Sequence, residues 1–196
     1  MKKFLIPILI LLVVGIFVYT KAVGTYNTFV QTEEVINGQW AEVETQYQRR
    51  SDLIPNLVST VKGYAEFEQE TLTGVIEARA KATSVNVDAS NLTPEKLAEF
   101  QGAQDQLGGA LSRLLVSVER YPELKANQNF LELQAQLEGT ENRIAVARRN
   151  FNQSVQDYNS NLRTFPNNIF AGWYGFEQKG YFEATAGSEN APTVQF

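Results

Sequence analysis

The chain has 196 residues, no cysteine and no histidine, and its 17 basic and 22 acidic residues give a formal net charge of −5. Without cysteine there is no disulfide framework, thiolate nucleophile or Cys/His zinc site, and without histidine there is no His general base. The acidic balance argues against nucleic acid as a partner, because nucleic-acid binding needs a basic surface.

The first element is an apolar run from Phe4 to Tyr19, preceded by Lys2 and Lys3 and followed by Lys21. As a helix the run rises roughly 24 Å, and lysines at both ends can reach into the interface. We therefore expect a transmembrane anchor over residues 1–24 that contacts the membrane through residues 4–20. The alternative is a cleaved signal peptide with a small-residue site just after Lys21.

Charge predicts how this anchor is oriented. Basic residues are in excess before the apolar run, which predicts a cytoplasmic N-terminus and an extracytoplasmic domain. Without Lys2, Lys3 and Lys21, the remaining 14 basic and 22 acidic residues give a net charge of −8. Such a domain is not attracted to anionic headgroups, so membrane association should come from the anchor.

The second element is a long helical tract from about Thr25 to Thr83. Pro55 predicts a kink or short break near Ser51–Pro55, with Asp52 as the N-cap of the second half. Apolar residues recur at spacings of three and four, which indicates one buried helix face: Trp40, Val43, Tyr47, Ile54, Leu57, Val61, Tyr64, Leu72 and Val75.

Two further helices follow a predicted loop at residues 84–91. Thr93 as N-cap and Pro94 at the first helical position predict a helix to about Arg120. The last long helix is predicted from about Pro122 to Arg163.

No strand-like alternation occurs, so the fold class is all-α. Short connections between long helices favour an antiparallel bundle of three to four helices over residues 25–165.

The C-terminal tail, residues 166–196, is rich in aromatic residues and glycine and shows no helical period. We expect an irregular segment that packs aromatic rings over one end of the bundle. The alternatives are a docking surface or a membrane-interface patch. A further hypothesis is that Thr193–Phe196 is a peptide ligand captured by strand addition.

Four charged residues, Arg50, Glu68, Glu141 and Arg148, occupy positions where the helical period predicts apolar side chains. We expect each to meet a partner on another helix, because an unpaired buried charge is too costly. The alternative is an enzyme that uses carboxylates buried in the bundle. Di-iron bundles need histidine ligands that this chain lacks. We therefore predict no catalytic residues, no metal site and no cofactor.

Seven short blocks of sequence stand out along the chain: RRSDLIPNLV (49–58), VKGY (61–64), YPELKAN (121–127), ENRI (141–144), ARR (147–149), YN (158–159) and RTFP (163–166). Together with Tyr26-Asn27, Phe182, Pro192 and Phe196, these blocks resemble the LemA family. The resemblance implies a bacterial single-pass membrane protein with a helical-bundle domain and no established enzymatic activity or cofactor.

The chain departs from the family pattern at two places. Phe67-Glu68 stands where the family often has His-Glu, which argues against essential histidine chemistry. Phe151-Asn152 stands where the family often has Tyr-Asn, which argues that a hydroxyl there is not indispensable to the fold.

These features together predict a membrane-anchored scaffold or adaptor at the bacterial cell envelope, not an enzyme. Its location is then the cytoplasmic membrane, and its partners are the membrane itself and an unidentified protein. The runner-up function is the enzyme with buried carboxylates.

Overall fold

The structure is a computed structural model that describes residues 2–63 and 68–183, apart from the side chains of residues 2–5 and 90. These residues contain no strand, which confirms the all-α prediction. A short 3-10 turn lies at Ala89–Asn91. The α-helices are α1 (Lys2–Lys62), α2 (Gln69–Ser84), α3 (Pro94–Val118), α4 (Pro122–Lys125), α5 (Gln128–Arg163) and α6 (Asn167–Tyr174).

Helix α1 is continuous over 61 residues, so the predicted break near Ser51–Pro55 is wrong. Pro55 has no N–H to donate to the carbonyl oxygen of Ser51, one turn earlier. Arg79 on α2 replaces that donor, because its Nε lies 2.9 Å from this oxygen. Asp52 is therefore not an N-cap, and its carboxylate accepts a hydrogen bond from Gln48 at 2.8 Å.

The predicted start of α3 is confirmed. The side chain of Thr93 accepts a hydrogen bond from the backbone N–H of Lys96 at 3.4 Å, and Pro94 is the first helical residue. The last helix differs from the prediction because it starts in two pieces. Asn127 lies between α4 and α5 and caps α5, since its side chain accepts a hydrogen bond from the backbone N–H of Phe130 at 3.1 Å.

The long helices form the predicted antiparallel bundle. Along α1, residues of increasing number meet α5 residues of decreasing number, so these two helices are antiparallel. Trp40 and Ser51 of α1 contact Val87 and Arg79 respectively, so α2 is antiparallel to α1. Tyr47 and Arg50 contact Phe100 and Gln104 respectively, so α3 is parallel to α1. Helices α1, α2, α3 and α5 therefore run alternately up and down around one axis.

The bundle interior has two hydrophobic clusters along this axis. The cluster nearer the N-terminal half of α1 is aromatic and centres on Trp40, which is 1% exposed. The other cluster is aliphatic and packs Ile54, Leu57 and Val61 of α1 against α2, α3 and α5. Arg50 lies between them on α1, so a charged layer separates the two clusters.

The tail begins with an ordered helix. Helix α6 occupies Asn167–Tyr174 and ends at Gly175, whose φ of 75° is the left-handed conformation that glycine adopts without strain. The predicted irregular tail is therefore wrong over residues 167–174, and it is confirmed only for residues 175–183. Phe182 stacks on Trp40 with ring centroids 6.1 Å apart, which confirms the expected aromatic packing on the bundle. The hypothesis on Thr193–Phe196 lies outside the described residues.

Candidate functional site

The N-terminal part of α1 has the properties of a membrane span. Within the described residues, α1 is the one helix long and apolar enough to cross a membrane. From Ile6 to Tyr19, its large apolar side chains are exposed among the described residues. Leu11 is 71% exposed and Phe17 is 61% exposed. Such a surface is unfavourable in water and suits lipid.

The buried cation at the centre of the bundle is Arg50, which is 3% exposed. One terminal nitrogen, Nη1, lies 2.7 Å from a carboxylate oxygen of Glu141 on α5. The other, Nη2, donates to the side-chain oxygen of Gln104 on α3 at 2.7 Å and to the Gln104 carbonyl at 3.2 Å. The guanidinium also lies 5.0 Å from the ring centroid of Tyr47. Arg50 therefore joins three helices at one level, as predicted for an inter-helix ion pair.

The other predicted charge contacts differ in detail. Glu68 pairs with Arg120 near the end of α3 at 2.7 Å, on the surface. Arg148 does not reach another helix. It donates to the carbonyl of Glu183 at 2.9 Å, and its guanidinium lies 4.7 Å from the ring centroid of Phe182. The expectation of a helix partner is wrong for Arg148, because the tail lies over that face of α5.

Three side-chain amides bind the backbone of the tail, and we call them the tail clamp: Gln101 on α3, and Asn152 and Asn159 on α5. Each amide both donates to a carbonyl and accepts from the N–H of one tail residue. The N···O distances are 2.9 and 3.0 Å at Lys179 for Asn159, 2.8 and 2.9 Å at Phe182 for Asn152, and 2.9 and 3.1 Å at Glu183 for Gln101.

The clamp supplies the backbone hydrogen bonds that an extended segment would otherwise find in a neighbouring strand. Gly180 donates its N–H to the carbonyl of Leu92 at 3.0 Å. A Cβ at position 180 would lie 2.8 Å from the Cα of Pro94, so glycine is required for this close approach. Lys179 adds an ion pair with Glu33 of α1 at 2.6 Å. The tail is thereby fixed to three helices.

Burial alters the ionisation of three groups beside these contacts. Burial raises the pKa of Tyr47, although the nearby Arg148 and Arg50 lower it. Burial also raises the pKa of Tyr158, with a smaller contribution from Glu33 and Glu177. Its hydroxyl has no hydrogen-bond partner among the described residues. The pKa of Glu44 is raised by partial burial. None of the three forms an acid–base pair.

The carboxylates proposed for catalysis are not buried. The side chain of Glu141 is 50% exposed and that of Glu68 is 42% exposed. Sequence periodicity predicted burial, but both carboxylates lie at the edge of the bundle, where Glu141 pairs with the buried Arg50 and Glu68 pairs with the exposed Arg120. Over residues 2–63 and 68–183, no group of three or more Asp or Glu side chains could hold a metal ion.

Sequence reasoning found Arg50 and Glu141 but missed the tail clamp and Arg79. Helical periodicity identifies buried apolar residues, and it does not distinguish Asn152 and Asn159 from other polar residues. The one available signal is their spacing, because residues seven apart lie on the same helix face. That face points toward the tail, which periodicity could not predict.

Known proteins resemble this chain over most of its length. Protein LemA of Metamycoplasma hominis is 28% identical, with 87% of this chain and 74% of that protein aligned. Magnetosome protein MamQ 2 of Paramagnetospirillum magneticum is 26% identical over 90% of this chain and 73% of its own length. Magnetosome protein MamQ of Magnetospirillum gryphiswaldense is 28% identical over 87% of this chain and 69% of its own length. The family model for the LemA family matches residues 39–196, so the chain belongs to the LemA family.

Proposed function

We propose that this protein is a single-pass, membrane-anchored scaffold or adaptor at the bacterial cell envelope. The observation that carries the proposal is the continuity of α1 from the apolar segment into the bundle. An anchor joined by a flexible linker only concentrates a domain near a membrane, whereas a continuous helix also fixes its orientation. Two relatives are named as magnetosome proteins, which supports a location at a cellular structure.

The geometry suits a rigid arm. The 38 residues between Gly24 and Lys62 rise about 57 Å, so the far end of the bundle stands well away from the membrane. Among the described residues, Val116 on α3 and Leu131 on α5 are apolar and exposed at this far end, at 71% and 49%. We propose that this end of the bundle, including Val116 and Leu131, is where a protein partner binds.

For topology, we propose that the N-terminus is cytoplasmic and the bundle extracytoplasmic. Lys2 and Lys3 precede the span and Lys21 alone follows it, which favours this orientation. Because the chain has no cysteine, Gln48→Cys gives a unique thiol on the exposed face of α1. A membrane-impermeant maleimide added to spheroplasts should label it. Labelling only after membrane lysis would contradict the topology.

We also propose that the protein is not an enzyme. The half-exposed carboxylates of Glu68 and Glu141 support this, because each is engaged in an ion pair with an arginine. The conservative changes Glu68→Gln and Glu141→Gln separate the two roles. A lost cellular function with unchanged thermal stability would favour catalysis, and a parallel loss of stability would favour a structural role.

Site-specific photo-crosslinking tests the adaptor role. A photoreactive residue at Val116 should capture one discrete protein in native membranes. The matched control is Val35, which is 55% exposed on the membrane-proximal part of α1. We expect no such adduct from position 35. Absence of a protein adduct from both Val116 and Leu131 would contradict the proposal.

A further inference from the structure

Three large apolar side chains in or next to α6 are exposed. Phe165 directly precedes the helix and is 77% exposed, while Ile169 and Trp173 are 44% and 71% exposed. Ile169 and Trp173 are four residues apart and so lie on one helix face. On the other face, Phe170 and Ala171 are buried. Residues 164–175 carry no charged side chain.

Helix α6 crosses α1 instead of running along it. Near its start, the side chain of Asn167 lies 3.3 Å from that of Thr25. At its end, the ring of Tyr174 lies 5.0 Å from the ring of Tyr26, centroid to centroid. The two contacts are one residue apart on α1, about 1.5 Å along its axis, whereas seven residues of α6 span about 10 Å. Helix α6 therefore lies roughly parallel to the plane of a membrane that α1 crosses.

Helix α6 meets α1 just outside the polar layer of the membrane, within reach of a large side chain. Thr25 lies six residues beyond Tyr19, the end of the apolar run, which corresponds to about 9 Å of helix. The polar interfacial layer of a bilayer is about 5–8 Å thick on each side. The buried face of α6 packs on the bundle, where Ala171 joins the same core cluster as Phe29. Its exposed face consequently points out of this end of the bundle, toward the bilayer.

We propose that α6 is an interfacial helix that rests on the same bilayer that α1 crosses. Phe165, Ile169 and Trp173 insert at the level of the lipid headgroups and upper acyl chains, where aromatic residues are favoured. The absence of charge in this segment commits the contact to apolar insertion into zwitterionic lipid, without a requirement for anionic headgroups. The inference rests on the membrane anchoring proposed above. It adds a second contact that fixes the rotation of the bundle about α1.

The fluorescence of Trp173 tests the proposal directly. The chain has two tryptophans, and Trp40 is 1% exposed in the bundle core, so it supplies a constant background. The full chain is reconstituted in phosphatidylcholine vesicles and recovered by flotation. Quenching by lipids brominated near the carbonyl end of the acyl chain is then compared with quenching by aqueous iodide. The protein with Trp173→Phe defines the background.

A matched control moves the reporter to the far end of the bundle. Val116 has the same 71% exposure as Trp173, so Trp173→Phe combined with Val116→Trp places an equally exposed tryptophan far from the lipid. We expect the Trp173 emission to fall at least twofold with brominated lipid and little with iodide. The control should show the reverse.

Three results would overturn the inference. Quenching of Trp173 by iodide would show that it faces water. Protection from both quenchers would show that a protein surface covers it. Protein absent from the floated vesicles would overturn both the anchor and the interfacial helix, whereas floated protein with iodide-accessible Trp173 would overturn only the latter.

Discussion

The ion pair between Arg50 and Glu141 should contribute much more stability than its geometry alone suggests. The pair Glu68–Arg120 has the same N···O distance of 2.7 Å, but the side chain of Arg120 is 62% exposed, whereas that of Arg50 is 4% exposed. The perturbation is Glu141→Gln, which removes the negative charge and keeps an acceptor oxygen. Glu68→Gln is the matched control on the surface.

The expected magnitude follows from burial. Breaking a fully buried ion pair typically costs about 3–5 kcal/mol, because the remaining charge stays uncompensated. Glu141 is half exposed and glutamine retains one hydrogen bond, so we expect a smaller loss of about 2 kcal/mol in the free energy of unfolding. For a domain of this size that corresponds to a fall in Tm of about 4–8 °C. The surface control should cost under about 1 kcal/mol.

Thermal unfolding of the full chain, followed by circular dichroism in detergent micelles, measures both variants. A fall in Tm for Glu141→Gln that equals the fall for Glu68→Gln would refute the reasoning. It would mean that water solvates Arg50 despite its burial. Replacing Arg50 together with Glu141 by apolar residues should recover part of the loss, because no unpaired charge then remains.

Three further outcomes are expected. Arg79→Ala should lower the free energy of unfolding by about 1–2 kcal/mol, because it leaves the Ser51 carbonyl without a donor; adding Pro55→Ala should restore stability, since alanine supplies the missing N–H. Asn152→Ala should speed hydrogen exchange of the tail amides far more than it lowers Tm, because the clamp holds a segment outside the helices. Burial raises the pKa of Tyr158, so the neutral hydroxyl is favoured in the folded state, and the free energy of unfolding should fall as pH rises above about 10. The variant Tyr158→Phe cannot ionise at this position, so its free energy of unfolding should fall less over the same pH range.

Each of these three predictions would be contradicted by a specific result. If Pro55→Ala does not rescue Arg79→Ala, then Arg79 stabilises the bundle through packing instead of the Ser51 carbonyl. If Asn152→Ala leaves exchange of the tail amides unchanged, the clamp is not what holds the tail. If Tyr158→Phe destabilises the protein at neutral pH, then the buried hydroxyl has a partner that stabilises it.

The start of α3 and the need of Arg50 for a partner were predictable, because the first depends on local capping and the second on the position of Arg50 in the apolar stripe. Thr93 and Pro94 mark a helix start through capping and a fixed φ, and both act within one turn. The stripe on α1 predicted a buried face, so a charge within it had to find a partner. Arg50 and Glu141 meet for this reason.

The continuity of α1 through Pro55 was not predictable from local rules. Proline usually breaks a helix because one carbonyl loses its donor. Arg79, 28 residues from Ser51, supplies that donor, and nothing in the local sequence indicates it. The tail clamp was missed for the same reason, because tertiary contacts decide which amides of α5 face the tail. Helix α6 was also missed, because it has only eight residues and carries large apolar side chains on both its buried and its exposed face.

The most direct test of the account is a distance along α1. The chain has no cysteine, so Gly15→Cys and Thr45→Cys give two unique sites for spin labels, one in the apolar segment and one in the bundle. Thirty residues of continuous helix predict a separation of about 45 Å. Double electron–electron resonance in lipid nanodiscs should give a narrow distribution at this distance. A broad distribution, or a mean well below 45 Å, would show a hinge at the membrane surface and contradict the rigid connection on which the proposed function depends.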